Sequence, residues 1–105
     1  MDKRTKKKLD VAICGYFHYS DFFVKCKTLG VKTPPYTKGM EIKMIYDIYQ
    51  ILMYHTDIDI MDYTYKNIPQ LPVAIDEMIK FFVYVEDYDK CNFLTKYKRE
   101  NFSSI

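Results

Sequence analysis

Apolar residues recur at the helical spacing i, i+3, i+4, i+7 over most of this 105-residue chain, and prolines interrupt the pattern at two places. Pro34 and Pro35 mark the first break, and Pro69 and Pro72 mark the second. An amphipathic helix buries one face against other elements, so several such helices must cover one another. The pattern therefore predicts an all-α fold, a compact bundle of four to five helices.

A single domain accounts for the whole length, because domains cluster at about 100 to 150 residues. The apolar fraction of 49% is far above that of disordered chains. We expect one helical domain over residues 1–105, with a basic N-terminal arm at residues 1–8 and a frayed C-terminus at residues 101–105.

The first helical segment begins at Leu9. Gly15 lies inside it at a cost of about 1 kcal/mol relative to Ala, and Ser20 is a good N-cap residue. The segment therefore fits either one helix or two helices that meet near Tyr19. Gly30 ends it, since Gly is favoured just past a helix C-terminus.

The later segments follow the same spacing. Residues 40–55 are apolar over most of the helix circumference, which is typical of the central helix of a bundle. Residues 56–68 fit a short helix or a strand, and the helix is favoured because an isolated strand would lack a pairing partner. Pro72 opens a further helix, which pauses at residues 86–87 and resumes over residues 89–99.

The charge of the chain is unevenly distributed. The formal net charge is +2, but residues 1–40 carry nine Lys or Arg against three acids, and residues 41–95 carry four Lys against ten acids. Such a chain either closes on itself electrostatically or offers two faces to partners of opposite charge. Both alternatives remain open at the level of sequence.

Aromatic residues are the main candidates for a binding surface, since the chain has 11 Tyr and 7 Phe. Protein interfaces favour Tyr and Phe as anchors. The predicted protein-interaction residues lie on the first helix and on the central helix: Tyr16, Tyr19, Phe22, Tyr46 and Tyr49. The expected partner is another protein or a second copy of the chain in a homodimer.

Basic residues support an alternative function, nucleic-acid binding. The candidate side chains lie near the two ends of the first helical segment: Lys3, Arg4, Lys6, Lys7, Lys8, Lys25, Lys27 and Lys32. Phosphate contacts from such residues would bind DNA with a steep salt dependence. Arg, which reads guanine with two hydrogen bonds, is nearly absent, so direct sequence-specific readout is not expected.

No catalytic, cofactor or metal motif is recognisable in the sequence. Cys14 and His18 are spaced as zinc ligands on a helix, but structural zinc sites usually show two close pairs, so core or surface roles are favoured. Asp57 could begin a calcium loop, yet Asp62 stands where Gly is needed and Ile68 where Glu is needed. The chain is expected to be no enzyme and to bind neither a cofactor nor a small-molecule substrate.

The expected compartment is the cytoplasm. Three Cys without a close pairing motif, in a Lys-rich chain without a signal peptide, indicate a reducing environment. The longest unbroken apolar runs are only a few residues, so neither an export signal nor a membrane span is expected.

About a quarter of the chain resembles a known family. The resemblance rests on Lys8-Leu9, Ile13-Cys14-x-Tyr16-x-x-Tyr19 and Thr33-Pro34. This pattern is similar to the N-terminal part of the RinA/ArpU-type phage regulators of late transcription, and residues 74–79 resemble a later helix of that family. The resemblance implies a small helical regulatory protein.

The chain departs from that family at its C-terminal end. Residues 90–105 are too short for the two helices and turn of a helix-turn-helix, so the promoter-reading part is not evident. We therefore expect a small regulatory or interfering protein of a phage or mobile element. It would act in a bacterial host by protein contact, on the transcription or replication machinery.

Overall fold

The computed structural model describes residues 1–55 and 64–102, without the side chains of Pro35 and Tyr36. Within these residues the chain forms four α-helices, one short 3₁₀ helix at Ile68–Gln70 and no β-strand. The helices are α1 at Lys3–Thr28, α2 at Pro35–Tyr54, α3 at Leu71–Tyr84 and α4 at Tyr88–Phe102. The predicted all-α bundle of four to five helices is confirmed.

The helix α1 begins well before the predicted start at Leu9. A carboxylate oxygen of Asp2 accepts a hydrogen bond from the Thr5 backbone N–H at 2.8 Å, which caps the first turn. The same hydrogen bond lowers the pKa of Asp2. The expected basic arm at residues 1–8 is therefore corrected: all but its first two residues belong to a capped helix.

The helix α1 is also continuous, so the alternative of two helices meeting near Tyr19 is wrong. It runs to Thr28 and ends as predicted at a glycine, since Gly30 has a φ of +70°. The Val31 backbone N–H donates to the carbonyl oxygen of Cys26 at 2.9 Å, which is the Schellman hydrogen bond.

The helix α2 starts at Pro35, earlier than the predicted residue 40. Proline is accepted there because the first N–H groups of a helix have no acceptor within it. Pro34 precedes it in an extended conformation, with φ −60° and ψ 134°. Pro34 is therefore the last residue of the loop, and Pro35 is the first residue of the helix.

Two hydrogen bonds join the segment before α3 to α1. The hydroxyl of Tyr65 donates to the backbone oxygen of Lys3 at 3.2 Å, and the backbone N–H of Asn67 donates to the carboxylate of Asp10 at 2.7 Å. The helix-or-strand prediction for residues 56–68 falls mainly on residues 56–63, which lie outside the described residues.

The helices α3 and α4 are separated at the predicted place, around residues 86–87. Fraying was expected from residue 101, but α4 continues to Phe102, which is buried. The Phe102 ring meets the Tyr97 ring at an edge, with 6.0 Å between centroids. This contact holds the last described turn on the core, while residues 103–105 lie outside the described part.

The four helices form two antiparallel hairpins, α1 with α2 and α3 with α4. Their buried side chains share one hydrophobic core. Its fully buried members include Leu9, Ile13, Ile48, Leu52, Ile68, Leu71, Ile75, Met78, Phe82 and Leu94. Most of them stand on the predicted stripes, because helical spacing alone brings them to one face.

Aromatic rings join the two hairpins. Tyr46 and Tyr49 of α2 meet Phe82 of α3 edge to face, at centroid distances of 5.5 and 5.7 Å. Tyr49 also meets Phe93 of α4 at 5.5 Å, and the Lys90 ammonium lies 5.5 Å from the Tyr49 ring centroid. Such ring pairs stabilise the packing beyond the area they bury.

No helix in the described part of the chain combines the length and apolar character needed to cross a lipid bilayer.

Candidate functional site

An open groove runs between α1 and α2, with a volume of about 640 Å³, within the range of roughly 300 to 1,000 Å³ typical of ligand sites. We call it the α1–α2 groove. Its α1 wall consists of Arg4, Lys7, Lys8, Val11 and Ala12. Its α2 wall consists of Met44, Asp47, Gln50 and Ile51. Both sets recur every three or four residues, so each occupies one helix face.

The floor of the α1–α2 groove is apolar. Val11 is 60% exposed although it is a β-branched aliphatic residue, and Ala12 lies buried beside it. Met44 and Ile51 face them from α2 and are half-buried. An apolar trough of this kind is suited to receive apolar side chains of another element.

A close approach of the two helices lies at one end of the groove. A Cβ atom added to Gly15 would lie 3.2 Å from the Met44 Sδ atom. Because Gly15 has no side chain, the Met44 side chain can lie against the α1 backbone. A larger residue at position 15 would push Met44 toward the groove.

The rim of the groove is positively charged. Within the described residues Arg4, Lys7 and Lys8 are exposed and no carboxylate pairs with them. Asp47, on the opposite wall, is paired with Lys43 at 2.8 Å. As far as the described residues show, the three cations can therefore interact with a ligand in the groove.

Tyr16 does not belong to an interaction surface, which corrects its assignment from sequence. It is only 3% exposed and packs in the core, with its ring edge-on to Phe17 at 5.1 Å. Burial raises the pKa of its phenol well above the ordinary value, and the negative charges of Glu77 and Glu41 add to this. A partner cannot reach this ring.

The other predicted interaction residues divide into two groups. Tyr46 is 38% exposed and Tyr49 is half-buried, and both rings serve the contact between hairpins. Phe22 is 41% exposed, and the half-buried Tyr19 lies edge-on to the exposed His18 at 5.4 Å. Phe22 and Tyr46 are therefore exposed as the prediction required, Tyr19 is partly exposed, and the Tyr46 ring also packs on Phe82.

The predicted nucleic-acid-binding residues form two separate clusters. Lys3, Arg4, Lys6, Lys7 and Lys8 lie in the first turns of α1. Lys25 and Lys27 lie in its last turn, and Lys32 follows the helix. A rise of about 1.5 Å per residue places the two clusters roughly 30 Å apart along the axis. Lys25 is paired with Asp21 at 3.2 Å.

The cysteines and histidines do not form a metal site in the described residues. No group of three or more His, Cys, Asp or Glu side chains there could hold a metal ion. Cys14 is exposed on α1, whereas Cys26 and Cys91 are buried. Burial raises the pKa of the Cys91 thiol.

A second exposed surface lies at the turn between α3 and α4. We call it the aromatic turn; it consists of Tyr84, Val85, Glu86, Tyr88 and Asp89. The two tyrosines are 86% and 58% exposed. Glu86 has a φ of +61°, and the Asp87 N–H donates to the carbonyl oxygen of Phe82 at 2.8 Å. The same Schellman motif follows α1.

The sequence pointed to the cations of the α1–α2 groove but missed its apolar floor and the aromatic turn, although both left the same signal. Val11, Tyr84 and Tyr88 are large apolar or aromatic residues that stand off the predicted core stripes of their helices. An apolar residue on the solvent side of an amphipathic helix indicates a surface that meets something other than water.

The chain matches no protein-family model, and comparison with curated proteins and with solved structures gave no significant match. The resemblance to the RinA/ArpU-type regulators therefore stays a prediction.

Proposed function

We propose that this chain is an interaction module, without enzymatic activity, whose α1–α2 groove binds an acidic amphipathic helix of a partner protein. One observation carries the proposal: the same groove has an apolar floor and three exposed cations for which the described part of the chain supplies no carboxylate partner. Helix-in-groove recognition needs a trough for apolar residues at i, i+3, i+4 and i+7, which Val11, Met44 and Ile51 supply. The cations on the α1 wall select acidic flanks.

The position of these cations supports the proposal. Arg4, Lys7 and Lys8 stand in the first turns of α1, whose first turn contains no acidic residue. The N-terminal end of a helix carries the positive end of its dipole, so cations there are disfavoured. A sequence that breaks a local stability rule commonly does so at a functional surface. An acidic partner would relieve the repulsion.

Nucleic-acid binding, the alternative from sequence, is less well supported by the geometry. The two basic clusters are separated along α1, and Asp21 neutralises Lys25 in the second. The cations of the first cluster border an apolar floor, whereas a phosphate backbone requires polar contacts. DNA binding is therefore treated as one possible outcome of the binding test.

The expected biological setting remains part of the proposal. A small phage or mobile-element protein that interferes with transcription or replication would act by occupying a surface of a larger protein. A groove for an acidic helix is suited to that role, because it needs no catalytic chemistry. The partner would be a host or phage factor in the bacterial cytoplasm.

The test measures binding of labelled helical peptides by fluorescence anisotropy. The probe peptide carries Leu at i, i+3, i+4 and i+7 and Glu on its flanks; the matched control carries Lys in place of Glu. Binding is measured at about 0.1 M and about 1 M salt, because the electrostatic screening length falls from about 10 Å to about 3 Å between them. The acidic peptide should bind, and more weakly at high salt.

Substitutions locate the binding site. Lys7→Glu/Lys8→Glu should weaken acidic-peptide binding by at least about tenfold, since two favourable charge contacts become repulsive. The control Lys80→Glu/Lys96→Glu changes the same charge on α3 and α4 and should leave binding unchanged. Equal binding of acidic and basic peptides would contradict the proposal. Binding of labelled DNA, with no peptide binding, would replace it with the nucleic-acid alternative.

A further inference from the structure

The aromatic turn and the α1–α2 groove have complementary chemistry. The turn projects two exposed tyrosines and Val85, and the groove offers an apolar floor. Glu86 and Asp89 are exposed on the turn and have no cation partner within the described residues. The groove rim carries Arg4, Lys7 and Lys8, which likewise have no carboxylate partner in residues 1–55 and 64–102. The two surfaces match in apolar character and are opposite in charge.

Among the described residues, part of the basic charge and part of the acidic charge lie on different hairpins. The ion pairs Lys43–Asp47 in α2 and Lys98–Asp76 between α4 and α3 each lie within a single hairpin. In the described structure Arg4, Lys7 and Lys8 are exposed at the start of α1, and Glu86 and Asp89 are exposed at the turn between α3 and α4. Of the two alternatives drawn from sequence, the described structure fits two faces for oppositely charged partners.

The backbone of the turn adds an independent observation. Glu86 occupies a left-handed conformation that costs an L-residue roughly 1 to 2 kcal/mol, and Gly would adopt it freely. The equivalent position after α1 does hold a glycine, Gly30. Strain of this kind is found where the side chain serves a purpose other than stability. At position 86 the side chain supplies an exposed negative charge beside the two tyrosines.

We infer that the α1–α2 groove receives the aromatic turn of a second copy of this chain, so that copies self-associate and compete with the acidic partner. This inference rests on the groove proposed above as the binding site. Tyr84 and Tyr88 enter the apolar floor, and Glu86 and Asp89 meet Arg4, Lys7 and Lys8. The contact joins two different surfaces, so it is heterologous.

The expected self-association is weak and concentration-dependent. One turn in one groove buries less than the roughly 1,200 Å² of a stable complex, so the contact belongs to the transient class. Such contacts exchange quickly, which allows a longer acidic helix to displace the turn. Self-association would thereby keep the groove covered when the partner is absent.

Analytical ultracentrifugation of the full chain, from about 10 µM to about 1 mM, tests this inference. The apparent mass should rise with concentration and rise less at high salt. Tyr84→Ser/Tyr88→Ser should weaken association by at least about tenfold, as expected when interface anchors are lost. Glu86→Lys/Asp89→Lys should weaken association similarly, because it reverses the charge of the turn while both tyrosine rings remain. Val24→Ser/Val73→Ser, which changes two exposed apolar residues elsewhere, should have no effect.

Mixing two variants gives the sharpest test. The turn variant Tyr84→Ser/Tyr88→Ser keeps its groove, and the groove variant Lys7→Glu/Lys8→Glu keeps its turn. Neither should self-associate, but the mixture should form a one-to-one complex. A wild-type chain that stays monomeric over the whole range, or a mixture that does not pair, would overturn the inference.

The outcomes separate this inference from the proposed function. If the turn variant still binds the acidic peptide while the wild type is monomeric, the groove is confirmed and self-association is wrong. If the chain self-associates but Lys7→Glu/Lys8→Glu has no effect on it, the contact does not use the groove and the inference is wrong.

Discussion

The Met44 Sδ atom lies 3.2 Å from the position that a Cβ atom on Gly15 would occupy. The distance is tight, but Met44 is a flexible, half-buried side chain that can shift toward the groove. Gly15→Ala gains about 1 kcal/mol of helix propensity. We expect the free energy of unfolding to stay unchanged or to rise by up to about 1 kcal/mol, measured by urea denaturation.

A larger residue provides the comparison for this substitution. Gly15→Leu cannot be accommodated by a small shift and should cost about 1 to 3 kcal/mol, as overpacking does. A loss of more than about 1 kcal/mol for Gly15→Ala would show that Met44 is held rigidly, contrary to the expectation.

The two Schellman motifs predict opposite effects of glycine and alanine. Glu86→Gly should raise the free energy of unfolding by about 0.5 to 1 kcal/mol, because it removes the strain of a positive φ. Gly30→Ala should lower it by about 1 kcal/mol for the same reason. Thermal and urea unfolding measure both. A destabilised Glu86→Gly variant would mean that the Glu86 side chain contributes more than its backbone costs.

Tyr16 and Tyr84 provide a buried and an exposed tyrosine for direct comparison. Tyr16→Ala should cost about 3 to 5 kcal/mol, because a large aromatic side chain leaves the core. Tyr84→Ala should change stability by less than about 0.5 kcal/mol, since its ring faces solvent. Urea denaturation of both variants tests the assignment of Tyr16 to the core. Similar stabilities of the two variants would contradict that assignment.

Alkaline pH should destabilise the fold through Tyr16. Burial raises the pKa of its phenol in the folded chain, so the folded state keeps a proton that the unfolded chain loses above about pH 10. The free energy of unfolding therefore falls as pH rises beyond that value. Tyr16→Phe should flatten this fall, whereas Tyr84→Phe should leave it unchanged. Denaturation at several pH values between about 9 and about 11 gives both slopes.

The hydrogen bond from the Asn67 N–H to Asp10 predicts that removing the Asp10 carboxylate lowers the free energy of unfolding. Asp10→Ala leaves the partly buried N–H without its acceptor and should cost about 1 to 3 kcal/mol. Asp21→Ala removes an exposed carboxylate from the same helix and should cost less than about 1 kcal/mol. Equal losses would show that the Asn67 contact contributes nothing beyond a surface charge.

Helical class and core were predictable from the sequence because the signals are local. The spacing of Leu9, Ile13, Ile48 and Leu52 assigns them to buried faces whatever partner covers them. The helix starts were predicted too late, since Asp2 and Pro35 act through capping geometry that an apolar stripe does not report.

The candidate site was only partly predictable. Lys3, Arg4, Lys7 and Lys8 were recognised as a basic cluster, but the apolar floor beside them depends on α2 lying antiparallel to α1. The aromatic residues chosen as an interface were ranked by type alone. Tyr16 proved to be a core residue, because exposure depends on which helices pack around a position.

The amino-acid sequence by itself determined the helical period, the two proline breaks and the separation of basic from acidic residues. These properties belong to neighbours along the chain, so they persist in any arrangement of the helices. Tertiary packing decided that Val11 and Ile51 line a groove, that Tyr16 lies inside and that Tyr84 and Tyr88 lie outside. Those assignments depend on contacts between residues far apart in sequence, and a one-dimensional pattern carries no measure of such distances.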